Sequence, residues 1–459
     1  MRAHAAHGGV RLPPPPWLWL LVCTYVWELP SGVVWWREQI RDLWTDEGAY
    51  GPEVVASPGF AALRASTVSQ LMPSLVLVAG LLAVALPHLR GWYTRLRYRL
   101  VPLTALGSTD AAAPQGVGGL RDFAASVAPG AAVMVSLWGK GPPARVYAAG
   151  WRKRRIAVSL GFLALWRRDP ARARALLLHE AGHLGSGEHL IAGLGSPFTR
   201  AVQAWPAVFL AFGAAPLVWL AWRHEPTASL MWPQVVVVLS RASVIMVPVA
   251  ALWCAELAAD RHAAAVCGRL AVEHALDEIG AGGGRTRGGL THPPHRLRRW
   301  CAERADGSLV PALLALAGPV ILLVHAAVVV CFTTVALVLA GDPWSSAAAS
   351  SLDLAHRDVL TVPLWSALVG LAVLWPLLAP RWSRLWAAAT ARSGDAGGGA
   401  GRAGSGDAGR AGDGLGPRAR AAVIMLPAVA LAVALLPSTG AVERDPVLRP
   451  AGPEAGAER

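Results

Sequence analysis

Charged residues are scarce in this chain of 459 residues, since Asp, Glu, Lys and Arg together make up only 15% of it. Hydrophobic residues account for 54%, and the mean hydropathy is +0.42. Soluble domains typically carry about 25% charged residues. The shortage of charge therefore argues against a soluble protein and indicates one that resides in a membrane.

Cysteine and lysine are also rare. Lys140 and Lys153 are the only lysines among 42 basic residues, so arginine supplies the other 40. The cysteines are odd in number, widely separated and without a C-x-x-C pair, which excludes the disulfide framework of a small secreted domain. We expect free thiols at all five, which are Cys23, Cys254, Cys267, Cys301 and Cys331.

Long apolar runs are abundant. A bilayer core about 30 Å thick requires roughly 20 apolar residues in a helix. Such runs occupy residues 17–36, 68–89, 201–222, 230–255, 309–340, 359–379 and 421–438, which predicts about seven membrane spans. The first run contains Glu28 and is not followed by an A-x-A cleavage site, so we predict an uncleaved anchor.

The distribution of basic residues predicts the orientation of these spans, because cytoplasmic loops carry the Lys and Arg excess. One alternating set of segments between the spans holds 33 basic residues and the other holds 8. We therefore predict a multi-pass protein of the cell membrane with its N-terminus in the cytoplasm and its C-terminus outside. The net charge of +13 then requires no nucleic-acid partner.

This topology divides the chain into seven parts. They are an N-terminal hairpin of two spans (1–89), a polar segment (90–200), a second hairpin (201–255), a second polar segment (256–308), two further spans (309–380), a Gly- and Ala-rich linker (381–420), and a last span with a short outer tail (421–459). The charge count places both polar segments in the cytoplasm, so we expect them to form one split domain.

Ionisable residues inside predicted spans are functional candidates, because a charge at bilayer depth usually faces a cavity or a partner. Arg241 and Glu28 are of this kind, although they are equally explained as an ion pair between helices. For His325 in the fifth span, a packed and hydrogen-bonded histidine is the simpler interpretation.

The first polar segment contains signals for both strands and a helix. β-forming residues flank Gly150 within residues 145–159, which predicts two short strands joined by a basic turn. Asp169 and Pro170 then provide the N-cap and first turn of a helix, which continues with apolar residues at helical spacing.

That helix carries the pattern H-E-x-x-H, formed by His179, Glu180 and His183. Residues i and i+4 differ by about 40° around a helix axis, so both imidazoles point into one small volume, as a tetrahedral zinc requires. Glu180 points roughly 100° away from His179, where its carboxylate can act as a general base on a water. The alternative is two histidines on an ordinary amphipathic surface helix.

A catalytic zinc site also needs a third protein ligand. Glu256 begins the sequence ELAADRH at the cytoplasmic end of the fourth predicted span, and Asp260 lies one turn further on the same face. Glu256 as a ligand and Asp260 as an acceptor for a ligand imidazole N–H would complete the site. The alternative is that both are the polar cap of a membrane helix.

At these motifs the chain resembles the M48 family of membrane zinc metallopeptidases, the HtpX and Ste24 CAAX-protease group. The resemblance rests on HEAGH at 179–183, ELAAD at 256–260 and THPPHRLRR at 291–299, and it covers about residues 17–300. The order of spans and motifs also matches HtpX. VYAAG at 146–150 matches the family's upstream strand only loosely, and the spans after residue 308 have no counterpart.

The resemblance implies a mainly α, multi-span helical membrane protein with a split cytoplasmic α+β catalytic domain of the zincin kind. It implies one catalytic Zn²⁺ held by His179, His183 and Glu256, with Glu180 as general base and acid and Asp260 supporting a ligand. His292, or the basic cluster with Arg296, would help to stabilise the oxyanion. His189 and His295 are interpreted as surface residues.

These observations favour a zinc metalloendopeptidase that cleaves protein or peptide substrates at the cytoplasmic face of the lipid bilayer. One alternative is a signalling metallopeptidase like the M56 sensor-transducers, although the predicted outer segments are too short for a sensor domain. Another is a zinc-binding membrane scaffold without catalysis. A transporter is a further alternative, for which no paired repeat is found. The sequence leaves the oligomeric state open.

Overall fold

The computed structural model describes residues 21, 52–106, 116–138, 143–216, 218–219, 245–281, 289–303, 330–331, 334–335, 337–338 and 342–354. The sixth and seventh predicted spans and the Gly-rich linker lie outside the described residues, as do Glu28, Arg241, His325 and most of the first and fifth predicted spans. The described residues are mainly helical, with one small mixed sheet.

The first described helices lie around the second predicted span. They are α1 (Pro52–Val55), α2 (Pro58–Ala85) and α3 (Pro87–Arg97). Ser57 caps α2 by accepting a hydrogen bond from the Phe60 N–H. The apolar run predicted as one span is divided at Leu86, because Pro87 has no N–H to continue the helix and restricts the residue before it.

None of the described helices alone has the length and apolar character needed to cross a membrane. One pair meets those requirements jointly, Leu71–Ala85 with Pro87–Arg97, and its two members are bent by 93°.

A four-stranded sheet follows in the chain. Its members are β1 (Leu100–Pro102), β2 (Ala132–Ser136), β3 (Ala144–Ala148) and β4 (Arg154–Ser159), with α4 (Val117–Val127) between β1 and β2. The order is β1-β2-β4-β3, in which β2 and β4 are parallel and the other two pairings are antiparallel. The two strands predicted around Gly150 are confirmed as β3 and β4, and β3 forms one edge of the sheet.

Two helices continue from β4. Ser159 caps α5 (Leu160–Arg168), and Asp169 caps α6 (Pro170–Ser186) by accepting a hydrogen bond from the Arg172 N–H at 3.1 Å. The predicted N-cap and first-turn proline of the H-E-x-x-H helix are therefore confirmed. Gly187 ends α6 in the left-handed conformation, and a single 3₁₀ turn, Glu188–Leu190, follows at once.

The remaining helices complete the described part of the chain. They are α7 (Pro197–Val208), which continues into a π-helical turn (Phe209–Ala214), α8 (Met246–Cys267), α9 (Arg269–Ala281), α10 (His295–Glu303) and α11 (Trp344–Leu354).

Two apolar clusters hold these elements together. The larger joins the inner face of the sheet to α5, α6, α9 and the C-terminal half of α8, and thus contains residues from both polar segments of the sequence. The second joins α2, α7 and the N-terminal half of α8. Helix α8 runs through both clusters, and Glu256 and Asp260 lie on it where it crosses α6.

Candidate metal centre

Three potential metal ligands converge between α6 and α8. The Nε2 atoms of His179 and His183 are 3.1 Å apart, and Glu256 reaches them with Oε2 at 3.4 Å from His179 and Oε1 at 3.7 Å from His183. His183 and Glu256 are buried, and His179 is nearly so. One turn of α6 and one residue of α8 are therefore sufficient to bring two imidazoles and a carboxylate to one point.

Each imidazole is held by a carboxylate at its other nitrogen. His179 Nδ1 lies 2.9 Å from Asp260 Oδ1, an ion-pair distance without good hydrogen-bond alignment. His183 Nδ1 lies 2.5 Å from Glu188 Oε2. A carboxylate at Nδ1 favours the tautomer that carries its hydrogen there, which leaves the Nε2 lone pair as an acceptor.

This arrangement fits a cation at the centre. Two Nε2 lone pairs that face each other at 3.1 Å repel unless a positive ion or a proton lies between them. Tetrahedral zinc with Zn–N bonds of about 2.0–2.1 Å places any two ligand atoms about 3.3 Å apart, close to the three separations found. Glu256 Oε2, moreover, is buried and accepts no hydrogen bond from the described residues.

The pKa values of the two histidines show that the carboxylates of the site favour positive charge there. Burial favours the neutral form of His179, but the carboxylates of Asp260 and Glu256 outweigh it and raise its pKa to about 10. Burial also favours the neutral form of His183, but the carboxylate of Glu188 outweighs this effect and raises the pKa of His183. In the absence of a metal, the site therefore retains protons that a metal ion has to displace.

Glu256 remains ionised although it is buried. Burial alone would raise its pKa, but His292, His179 and Arg298 hold the pKa well below the usual range of a glutamate. His292 Nδ1 lies 2.8 Å from Glu256 Oε1, and Arg298 Nη2 lies 3.5 Å from Glu256 Oε2. An anionic oxygen is thus available to a metal at all ordinary pH values.

Arg298 holds the second acidic residue of α8. Its Nε and Nη2 each donate a hydrogen bond of 2.7 Å to one oxygen of Asp260, which forms a bidentate pair. Burial would raise the pKa of Asp260, but Arg298 and His179 lower it to about 2. Within the basic cluster that contains Arg296, Arg298 occupies the inward-facing position on α10, whereas Arg296 is exposed.

His292 lies beside the candidate metal ligands, and its Nδ1 is at an ion-pair distance from Glu256 without good hydrogen-bond alignment. Its Nδ1 faces Glu256 and its Nε2 lies 3.0 Å from Arg145 Nη1 on β3. Because an arginine can only donate, Nε2 accepts and Nδ1 carries the hydrogen, so the ring is neutral. The charge of Glu256 favours an imidazolium, but burial and Arg145 outweigh it and lower the pKa of His292.

Glu180 lies between the ligands and the edge strand. It is buried, and its Oε2 accepts a hydrogen bond of 2.8 Å from the Val146 N–H on β3. Glu180, His183, Glu188 and Glu256 line an open pocket, which Arg145 and Thr291 also border. The H-E-x-x-H glutamate thus lines the same pocket as two of the three candidate ligands, His183 and Glu256.

The outward backbone groups of β3 are occupied at Val146. Its N–H is taken by Glu180, and its carbonyl accepts a hydrogen bond of 2.8 Å from the Leu194 N–H. The segment of Leu194 lies so close that a Cβ on Gly193 would be 2.7 Å from the Val146 carbonyl oxygen. The edge strand is therefore covered at this position by the chain itself.

Two further histidines were predicted to lie at the surface. His189 is buried, and the prediction of a surface residue is wrong, because Arg90 of α3 binds the carbonyls of His189 and Leu190 and holds the 3₁₀ turn against the domain. Burial, with Arg154 nearby, lowers the pKa of His189 to about 4. His295 is partly buried at the start of α10.

Sequence reasoning missed Glu188, Arg298 and Arg145. Glu188 follows the glycine that ends α6, so helical spacing gives no indication that its carboxylate turns back to His183. Arg298 was part of the THPPHRLRR stretch, but only the position of α10 determines which of its arginines faces inward. Arg145 carries no motif of its own.

Comparison with known proteins assigns no class to this centre. No protein-family model, no curated protein and no solved structure matches the chain.

Proposed function

We propose that the chain is a membrane-embedded zinc metalloendopeptidase that hydrolyses peptide bonds of membrane or membrane-proximal proteins at the cytoplasmic face. The observation that carries this proposal is the pair of Nε2 atoms 3.1 Å apart, each with a carboxylate at its opposite nitrogen and with Glu256 beside both. Such a set has the ligand types and separations of a zinc site with three protein ligands and one open position.

The ligands and their supports have separate tasks. His179, His183 and Glu256 would hold the zinc ion, while Asp260 and Glu188 fix the orientation of the two imidazoles. When bound to two neutral imidazoles and one carboxylate, zinc supplies Lewis acidity that activates water and polarises a peptide carbonyl. Arg298 keeps Asp260 ionised and in place, which in turn holds His179.

Glu180 is assigned the proton transfers. The Val146 N–H fixes one carboxylate oxygen and therefore the direction of the side chain. The other oxygen, Oε1, takes the proton of the attacking water and delivers it to the leaving amine. The position of Glu180 in the pocket that His183 and Glu256 also line supports this assignment.

Arg145 is the stronger candidate for stabilising the oxyanion. His292 directs its Nδ1 at Glu256 and its Nε2 at Arg145, and it does not line the pocket. Arg145 borders the pocket and carries further N–H groups besides the one directed at His292. We therefore assign the oxyanion to Arg145 and assign to His292 the positioning of Glu256 and Arg145.

Removal and restoration of metal tests this proposal. The full chain, purified in detergent, is incubated with a fluorescently labelled unfolded protein in the presence of 1,10-phenanthroline, and the non-chelating isomer 1,7-phenanthroline serves as the control. We expect cleavage to stop only with the chelating isomer and to return when zinc is added back. Cleavage that continues after zinc has been removed would contradict the proposal, and stoichiometric zinc without cleavage would favour the scaffold alternative.

A further inference from the structure

Helix α3 has an unusual position between the long apolar helix α2 and the sheet. It begins at Pro87, directly after the 93° bend that separates it from the last turns of α2. If α2 enters a bilayer, as the proposed membrane location requires, a helix at about a right angle to it runs parallel to the bilayer surface.

One face of α3 is firmly attached to the domain. The buried residues of α3 lie on one side of the helix. At about 100° of rotation per residue, each lies within about 60° of their mean direction around the helix axis; they are Pro87, Arg90, Gly91 and Thr94. A Cβ on Gly91 would approach the Cα of Ala149 to 2.5 Å, so the helix backbone rests directly on the end of β3. The orientation of α3 about its own axis is fixed by this contact.

The opposite face is apolar and exposed. Measured from Pro87, Trp92, Leu96 and Leu89 lie at about 140°, 180° and 200° around the axis. Their exposed fractions are 61%, 57% and 58%, which is high for large apolar side chains. Three such residues on one side of a short helix form a continuous apolar strip, which in a soluble protein marks an interaction surface.

Basic residues flank this strip on both sides. Arg95 lies at about 80° and Arg97 at about 280°, so each separates the apolar strip from the buried face. The guanidinium of Arg97 stacks 5.7 Å from the ring of Trp138, and Leu137 and Trp138 are themselves exposed beside the helix. Acidic residues are absent from α3.

We propose that α3 is an interfacial helix that lies in the headgroup layer of an anionic phospholipid bilayer. Its strip of Leu89, Trp92 and Leu96 enters the acyl-chain boundary, and Arg95 and Arg97 reach out to lipid phosphates on either side. An apolar centre with basic flanks and a tryptophan is the arrangement of helices that lie in the membrane plane. The positive charge selects an anionic surface over a neutral one.

The buried face of α3 connects this contact to the candidate metal centre. Arg90 donates hydrogen bonds to the carbonyls of His189 and Leu190, in the same 3₁₀ turn that carries Glu188. Glu188 in turn holds His183. The helix therefore fixes the distance between the bilayer and the metal centre, which restricts substrates to segments close to the membrane. This consequence rests on the proposed peptidase function, whereas the membrane contact rests only on the proposed membrane location.

Photocrosslinking in a bilayer tests the membrane contact without any measurement of activity. p-Benzoylphenylalanine is introduced at Trp92 of the full chain and, as a matched control, at Leu270, an apolar residue of α9 that is 68% exposed. Both proteins are reconstituted into phosphatidylcholine bilayers with phosphatidylglycerol and irradiated, and lipid adducts are measured by mass spectrometry. We expect several-fold more lipid adduct at position 92 than at position 270.

Two results would overturn the inference. Equal lipid adducts at positions 92 and 270 would show that α3 has no special contact with lipid, and adducts from position 92 to a second copy of the chain would show a protein interface instead. Lipid adducts at position 92 in a preparation without peptidase activity would support the inference while the proposed function fails.

A second experiment tests whether Arg95 and Arg97 select anionic lipid. In the double variant Arg95→Gln/Arg97→Gln, the share of phosphatidylglycerol among the adducts at position 92 is expected to fall to its share in the bilayer. Arg167→Gln/Arg168→Gln, which removes two exposed arginines of α5, serves as the control and should keep the preference. An unchanged preference in the first double variant would contradict a role for these arginines in lipid selection.

Discussion

Gly182 and Ala259 form a close contact between α6 and α8 beside the candidate metal centre. A Cβ on Gly182 would lie 3.0 Å from the Ala259 Cα, so a larger residue there would push the two helices apart by a few tenths of an ångström. His179 and His183 flank Gly182 on α6, and Glu256 and Asp260 flank Ala259 on α8. The small residue inside the H-E-x-x-H motif is therefore part of how the ligands meet.

Replacement of this glycine is expected to separate the ligands. Gly182→Val should destabilise the protein by about 1–3 kcal/mol, because overpacking forces the helices apart, and it should weaken zinc binding. Gly185→Val on the same helix is the control, since nothing lies within 4 Å of the position where its Cβ would be. Zinc content and thermal unfolding of both variants check this. Normal zinc binding by Gly182→Val would show that the close contact does not set the site.

Glu188 is expected to position His183 rather than to bind metal. Glu188→Ala removes the acceptor of the His183 Nδ1–H and should weaken zinc binding about 10- to 100-fold, as loss of such supports typically does. Glu188→Gln retains an acceptor oxygen and should restore part of the affinity. Zinc competition titrations on both variants measure this. Equal affinity of Glu188→Ala and wild type would remove Glu188 from the site.

Arg298 is expected to matter for stability as well as for the site. Arg298→Met would remove the guanidinium that forms the bidentate pair with the buried Asp260 carboxylate, and a broken buried ion pair costs about 3–5 kcal/mol. Arg296→Met on the exposed face of the same helix should change stability by less than about 0.5 kcal/mol. Denaturant unfolding in detergent compares the two. Similar effects of both substitutions would contradict the assignment of Arg298 as the buried partner.

The lowered pKa of the buried His189 predicts that the stability of the folded protein depends on pH. Its pKa is lowered from 6.5 to about 4 in the folded protein. Between these values the unfolded chain binds the proton and the folded chain does not, so stability is lost as the pH falls through this range. The difference of about 2.5 pKa units corresponds to about 3 kcal/mol.

This prediction is tested by comparing melting temperatures at neutral pH and near pH 5. A chelator is present at both pH values, so that release of metal does not contribute to the difference. We expect the decrease in melting temperature to be smaller in His189→Gln than in wild type, and unchanged in His274→Gln, which alters an exposed residue of α9. An equal decrease in all three proteins would show that His189 is not the group responsible.

Local signals in the sequence were sufficient for some of these elements. The cap at Asp169, the proline after it and the β-forming residues around Gly150 act within a few residues, and the structure has a helix and two strands at those positions. The proximity of Glu256 and Asp260 to His179 was predicted from helical spacing and a shared side of the membrane, and the described residues bring these side chains together.

Other features depend on tertiary contacts that spacing does not encode. Glu188 turns back to His183 only because Gly187 leaves the helix in a left-handed conformation. The inward position of Arg298 instead of Arg296 depends on how α10 packs against α8. Hydropathy also placed the end of the second predicted span at residue 89, whereas α2 ends four residues earlier, at Ala85, because Pro87 cannot continue the helix.

The central claim is that Glu180 performs proton transfer at a zinc ion held by this chain. The most direct test measures zinc content and cleavage of an unfolded protein on the same preparations of wild type and Glu180→Gln. Glutamine preserves the shape of the side chain and its hydrogen bond from Val146, but it has no carboxylate to take a proton. We predict equal zinc in both proteins and cleavage in wild type alone. Cleavage by Glu180→Gln at the wild-type rate would contradict the account.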